Sequence, residues 1–254
     1  EVASLTVECD PRLVRLFERS IPGIRAHGFS RHKRGGRGYY SYPWLPEENG
    51  PECYVEMGSL PFILRRPHCL EDNEQGYLVP EQRQVSAFET QIKALVGTRR
   101  AVGISWTSSV RTAIRNAHYP PMPAWKHLLD LPGVCFISLQ HSADRAAIEA
   151  FMEETGVQIE TLPDLDLRND IEGVAALASC LDLVISVATA TSAISAAVGT
   201  PTIDFLANAG SVPLINGRDT FLSATRRTLQ KTPGDWSSPI IEARSIALDI
   251  LRQT

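Results

Sequence analysis

LDLVISVATATSAISAAVGTPTIDF, residues 181–205, writes out a strand, a hydroxyl-rich turn, a short helix and a second strand in one stretch. Leu183–Val187 is continuously apolar or small, as a strand buried on both faces must be. Thr189, Thr191 and Ser192 then supply the hydroxyls that cap a helix of small residues. Gly199 ends that helix, and Pro201, which cannot extend it, can open the strand Thr202–Phe205. The unit is a βαβ crossover. The N–H groups that open its helix have no intrahelical acceptor and face whatever lies beyond the strand ends, where an anion such as phosphate suits them.

Working outward, strands and helices alternate from about residue 98, the pattern of a parallel sheet covered by helices. Ala101–Ser105 reads as a strand, Pro123–Leu131 as a helix, Val134–Leu139 as a strand and Ala143–Thr155 as a helix ended by Gly156. Val157–Thr161 gives a third strand and Ile171–Ser179 a helix capped by Asn169 or Asp170. With the two strands of the opening unit this makes a five-stranded doubly wound sheet. A last helix over Ser238–Arg252 carries Ile240, Ile241, Ile246, Leu248 and Leu251, and packs across that sheet or onto a neighbouring lobe.

Residues 1–97 form a different and less complete lobe. Leu5–Glu8 is a strand, and Pro11–Arg19 a helix with Leu13, Leu16 and Phe17 along one stripe. Residues 28–80 are rich in Gly, Pro, aromatics and charges, with a short strand at Tyr54–Glu56; Val85–Val96 is a helix leading into the second lobe. The basic run Arg31–Gly38, followed by Tyr39, Tyr40 and Trp44, reads as a flexible surface loop, with a cradle for phosphate or RNA as the alternative. The chain opens on Glu1, directly before a strand, as a piece of a longer protein would. On that reading the first strand and helix of the smaller lobe lie upstream.

The 254 residues, 43% hydrophobic and 21% charged, have an ordinary globular composition. A net charge of -4 argues against a general nucleic-acid binder. Five scattered cysteines without a CxxC pair fit reduced thiols and a cytoplasmic setting. His68–Cys69 with Cys53 lacks zinc-ligand spacing, and Asp164 and Asp166 read as caps, so no metal is expected. No segment reads as a membrane span.

Ligands of open parallel sheets sit beyond the carboxyl ends of the strands. The first strand is followed there by Trp106, Thr107, Ser108 and Ser109 with Arg111 and Arg115, the second by Gln140 and His141, and the fourth by Thr189, Thr191 and Ser192. Guanidinium forks and hydroxyls converging on one edge suit a diphosphate. Trp106 either stacks a base or sugar or plugs the lobe interface. No GxGxxG, GxxxxGK[ST] or GxSxG motif is present, which removes the usual signatures of nicotinamide dehydrogenases, P-loop NTPases and serine hydrolases.

Three blocks, VGISWTSS (102–109), PGVCFISLQ (132–140) and LDLVISVATATSAISAAVGTPT (181–202), resemble the C-terminal lobe of TPR-linked bacterial glycosyltransferase-like proteins, relatives of the heptosyltransferases of glycosyltransferase family 9. GDW (234–236), LTVECDPRLVRLF (5–17) and MGSLP (57–61) extend the likeness over nearly the whole chain. The resemblance implies a GT-B fold: a Rossmann-like lobe holding a nucleotide-diphospho-sugar donor and a partial lobe on the acceptor side, with an upstream TPR region and no further cofactor. Trp106, Thr107, Ser108, Arg111 and Arg115 then fall near the diphosphate, Gln140 near the nucleoside, and Thr189, Thr191 and Ser192 at the helix opening. Where relatives carry DTxxxH, this chain has Ala188 and Ala193, which lack the Asp and His. The implied activity is glycosyl transfer to an unknown acceptor; a catalytically inactive interaction scaffold and a nucleotide-sugar hydrolase or epimerase share the fold.

Overall fold

A computed structural model describes residues 4–45, 50–65, 76–108, 112, 116–141, 145–207, 225–229 and 232–253. The chain divides into two compact units, Glu1–Glu71 and Asp72–Thr254.

In the first unit β1 (Leu5–Cys9) pairs in parallel with β2 (Ile24–Gly28), from Leu5↔Ile24 to Cys9↔Gly28. The connection is a 3-10 turn at Pro11–Leu13 running into α1 (Val14–Ser20). Asp10 starts it by accepting the Arg12 N–H at 3.1 Å, and Pro11 occupies a position where an N–H would go unused. Of the expected stripe, Leu16 is fully buried while Leu13 and Phe17 lie partly exposed. β3 (Ser30–Arg34) and β4 (Arg37–Ser41) form an antiparallel hairpin, which corrects the surface loop expected at Arg31–Gly38. Gly35 and Gly36 have φ of 58° and 77°, the left-handed pair that a two-residue hairpin turn requires. Tyr54–Glu56, expected as a strand, has no regular secondary structure: Tyr54 is 87% exposed, no strand pairs with it among the described residues, and a 3-10 turn at Met57–Ser59 and α2 (Leu60–Leu64) follow instead.

The second unit opens with α3 (Gln82–Val96), so residues up to 97 contribute to its packing. The alternation then runs β5 (Arg100–Ser105), α4 (Met122–Leu128), β6 (Val134–Ser138), α5 (Arg145–Thr155), β7 (Ile159–Glu160), α6 (Ile171–Ser179), β8 (Leu183–Val187), α7 (Ala190–Ala197), β9 (Thr202–Leu206), β10 (Thr225–Leu229) and α8 (Ser237–Gln253). The sheet has order β10-β9-β8-β5-β6-β7 and every pairing in it is parallel. Six strands, not five, make it up. β10 reads TRRTL, which carries no apolar run because an edge strand needs burial on fewer sides. At the other edge β7 shrinks to two residues and pairs only through Ile159 and Glu160. Asp170, rather than Asn169, caps α6, accepting the Gly173 N–H at 2.8 Å. The start of the helix expected from Ala143 lies outside the described residues.

Alternation along the strands builds two cores. On one face Val102, Ile104, Phe136, Leu183, Ile185, Ile203 and Phe205 meet Trp125 and Leu128 of α4, Phe151 of α5, and Ile240, Ala243 and Ala247 of α8. The last helix therefore packs on this sheet, although Ile241 points out, 70% exposed. On the other face Ala101, Cys135, Ile137 and Val184 meet Ile92 and Val96 of α3 and Leu177 of α6. Each fully buried Leu or Ile contributes about 1.5–3 kcal/mol.

Candidate functional site

The chain leaves β5 toward β6 and β7, then returns through α6 to the opposite side of β5, where β8, β9 and β10 follow. The direction of winding reverses between β5 and β8. That reversal separates the loops at the two strand ends and opens a crevice, the place where doubly wound sheets bind ligands. Ser105 and Ser186 pair across it at the last register position. The loop 106–108 leaves from one side and Ala188–Ala190 from the other.

On the β5 side, Gln140 organises the loop. Its Oε1 accepts the N–H of Trp106 at 2.8 Å, the N–H of Thr107 at 3.0 Å and the Ser105 hydroxyl at 3.3 Å, and its Nε2 donates to Thr107 O at 2.8 Å. The side chain expected near a nucleoside is a bracket holding the loop after β5. It is almost wholly buried. Trp106 is buried too, stacked on Phe151 with centroids 4.2 Å apart within the core of the second unit. Thr107 is partly exposed and Ser108 buried. Arg111, Arg115 and Ser109 lie outside the described residues.

On the β8 side, Thr189 is the N-cap of α7 in extended backbone conformation. The Ser192 hydroxyl accepts the Thr189 N–H at 3.2 Å and donates to Thr189 O at 2.9 Å. This is the return half of a capping box. The forward half is the Thr189 side chain set toward the Ser192 N–H, its Oγ1 buried there without a hydrogen bond of normal geometry. Thr191 is buried, and Ser195 donates to its carbonyl at 2.8 Å. Ala188, Ala190 and Ala193 are exposed. The first intrahelical bond runs from Ala193 N to Thr189 O, which leaves the N–H groups of Ala190, Thr191 and Ser192 without helical acceptors. The opening of α7 thus holds backbone donors at the positive end of a helix, with small side chains around them.

Anchors below the crevice keep the two halves in register. Asp182 accepts the Ala101 N–H at 2.7 Å and pairs with Arg100 at 3.2 Å, tying the start of β8 to β5. Gly103 sits between them with no room for a side chain, since a Cβ would lie 2.6 Å from Leu139 Cδ1 and 2.7 Å from Leu181 Cδ1. Asp166, spaced from Asp164 like a metal-binding pair, caps a turn, accepting the N–H groups of Arg168 and Asn169 at 3.0 Å each. Its carboxyl is held below the ordinary range chiefly by the Asn169 side-chain amide. Among the described residues no group of His, Cys, Asp and Glu is placed to hold a metal ion, and no helix is long and apolar enough to cross a membrane. Sequence reading missed the bracket role of Gln140, whose partners Trp106 and Thr107 are distant in the chain.

No protein-family profile matches the chain. Protein FlbA of Caulobacter vibrioides is 30% identical over 197 residues, which are 78% of this chain and 33% of FlbA. The chain thus spans about a third of the length of that curated relative. Among solved structures, a glycosyl transferase family 9 protein from Veillonella parvula superposes at TM-score 0.48 and 12% identity, over 68% of this chain and 51% of that one. The E. coli ADP-heptose LPS heptosyltransferase II does so at 0.48 and 15%, over 69% and 52%. At these scores the fold rests on the strand order itself.

Proposed function

We propose that the second unit binds a nucleotide-diphospho-sugar and that the chain belongs to a glycosyltransferase of GT-B type. The observation that carries this reading is the opening of α7 at the switch point, where the N–H groups of Ala190 and Thr191 have no helical acceptor and the exposed residues around them, Ala188, Ala190 and Ala193, are small. The resemblance of the three sequence blocks to TPR-linked glycosyltransferase-like proteins supplies the donor class. In this reading the amides of Ala190 and Thr191 take the diphosphate, and the helix dipole favours charge developing on the leaving group. Arg111 and Arg115, from the loop after β5, offset that charge without a metal. The first unit takes the acceptor side, and a TPR region outside this chain recruits the acceptor in the cytoplasm.

Thermal melting and calorimetry of the full-length protein with UDP, GDP and ADP test the proposal. One nucleotide is expected to raise the melting temperature, and Arg111→Ala to weaken its binding about tenfold, as loss of one charge-assisted contact does. Equal heats from both proteins would remove that arginine from the site.

A second reading has its own observation. Ala188 and Ala193 present no side-chain group at the helix opening, so the unit serves as an inactive scaffold for protein contacts. Lack of stabilisation by any nucleotide would favour it. Product analysis after incubation with the matching nucleotide-sugar separates transfer from hydrolysis or epimerisation.

A further inference from the structure

The hairpin β3–β4 carries a density of positive charge of which Arg31 alone meets a carboxylate among the described residues. Arg31, Lys33, Arg34 and Arg37 fall on it, and no carboxylate occurs between residues 28 and 46, in a chain of net charge -4. All four are exposed. The ribbon's shape is defined by its own contacts. His32 stacks on Tyr39 at 4.9 Å, and the Arg31 guanidinium lies over Phe29 and Tyr40 at 5.0 and 5.7 Å, with Asp10 3.6 Å away.

Arg34 and Arg37 flank the two-glycine turn and form the pair that closes it. Antiparallel ladders alternate, so the N–H and C=O groups of Lys33 and Arg31 turn away from β4. Among the described residues β3 pairs with β4 alone. An open ladder edge therefore runs beside four consecutive basic or imidazole side chains, Arg31, His32, Lys33 and Arg34, which alternate between the two faces.

That combination selects among anionic partners. A bilayer surface is one plane and meets the cations of one face. Nucleic-acid phosphates meet side chains but leave the ladder groups unpaired. An extended acidic polypeptide satisfies both, because its backbone pairs with Arg31 and Lys33 while its carboxylates alternate between the same two faces. A third strand also completes a ribbon that is marginal as an isolated pair. We propose that the outer edge of β3 is a docking site for an extended acidic segment of a partner protein, which adds to the hairpin as a third strand. This stands independently of the donor reading.

The test is fluorescence anisotropy on the full chain with a labelled peptide of about ten residues rich in glutamate and threonine, long enough to span one strand. Three companions are the same peptide N-methylated at alternate amides, a thymidine oligonucleotide of equal charge, and anionic vesicles of phosphatidylglycerol. The acidic peptide is expected to bind, to weaken as salt rises, and to lose about tenfold or more in affinity in the Lys33→Gln/Arg34→Gln variant. Unchanged melting shows that this variant folds. The N-methylated peptide is expected to lose binding at constant charge. No binding of the acidic peptide, which would leave the charges as guards against self-pairing, overturns the proposal. So does equal binding of the N-methylated form, or tighter binding of the oligonucleotide or the vesicles.

Discussion

Gln140 and Thr189 stand on opposite sides of the crevice and differ in how far along the chain their partners lie. Gln140 accepts two backbone N–H groups and donates to a carbonyl of the same loop. Gln140→Leu keeps the bulk and removes the acceptor, leaving the buried Trp106 N–H unpaired, which costs about 2–4 kcal/mol. Urea unfolding measures this, and a loss below about 0.5 kcal/mol would show that the bracket does not hold the loop. Thr189 Oγ1 is buried against the Ser192 N–H, at the cap of α7. Thr189→Val keeps the shape and removes the capping oxygen, and is expected to lower stability in urea by about 1 kcal/mol. An unchanged urea midpoint would show that the hydroxyl does not cap α7. Of these two residues the sequence showed Thr189 correctly as a cap position, because capping is local. It could not show that Gln140 turns inward, because its partners are 33 and 34 residues away in the chain.

At the scale of elements, α7 is fastened at its far end by a strap that no local pattern announces. Tyr77 and Leu78 donate their N–H groups to Ala197 O at 2.7 and 2.9 Å. The strap passes so close that a Cβ on Gly76 would meet Gly199 N and lie 2.6 Å from Ala197 O, at a φ of +79°. Gly76→Ala meets rigid backbone rather than a movable side chain, and is expected to cost at least about 2 kcal/mol. A melting temperature within error of the parent would contradict the strap. The helices and inner strands of the second unit were legible because they carry their own periods, caps and breakers: Leu183–Val187, the cap site at Asn169 or Asp170, and Gly199 are examples. The elements that escaped are those whose cause is a neighbour. β10 exists because β9 offers it an edge, and the β3–β4 hairpin depends on reading Gly35-Gly36 as a turn rather than as slack.

For the whole molecule, both cores of the second unit are built from residues 72–254 alone. That segment, expressed by itself, is expected to unfold cooperatively and to keep the nucleotide affinity of the full chain; a molten, non-cooperative product would show that the first unit is needed for folding. The coupling of α3 to α6 also gives a pH response. The Cys180 thiol donates to Ala176 O at 3.2 Å and lies 3.6 Å from Val85 O, and burial raises its pKa from 9.0 to about 11. The folded state holds this proton more tightly, so the contribution is complete below pH 9 and is lost as pH rises toward about 11. The difference in urea midpoint between the parent and Cys180→Ala is expected to shrink across that window, and a difference independent of pH would contradict it.

The account turns on anion capture at the switch point between β5 and β8. Amide chemical shifts followed during titration with the nucleotide that stabilises the protein report on it directly. The largest changes are expected at Ala190, Thr191 and Thr107. Saturating shifts confined to other strand ends, with these three amides unmoved, would contradict it.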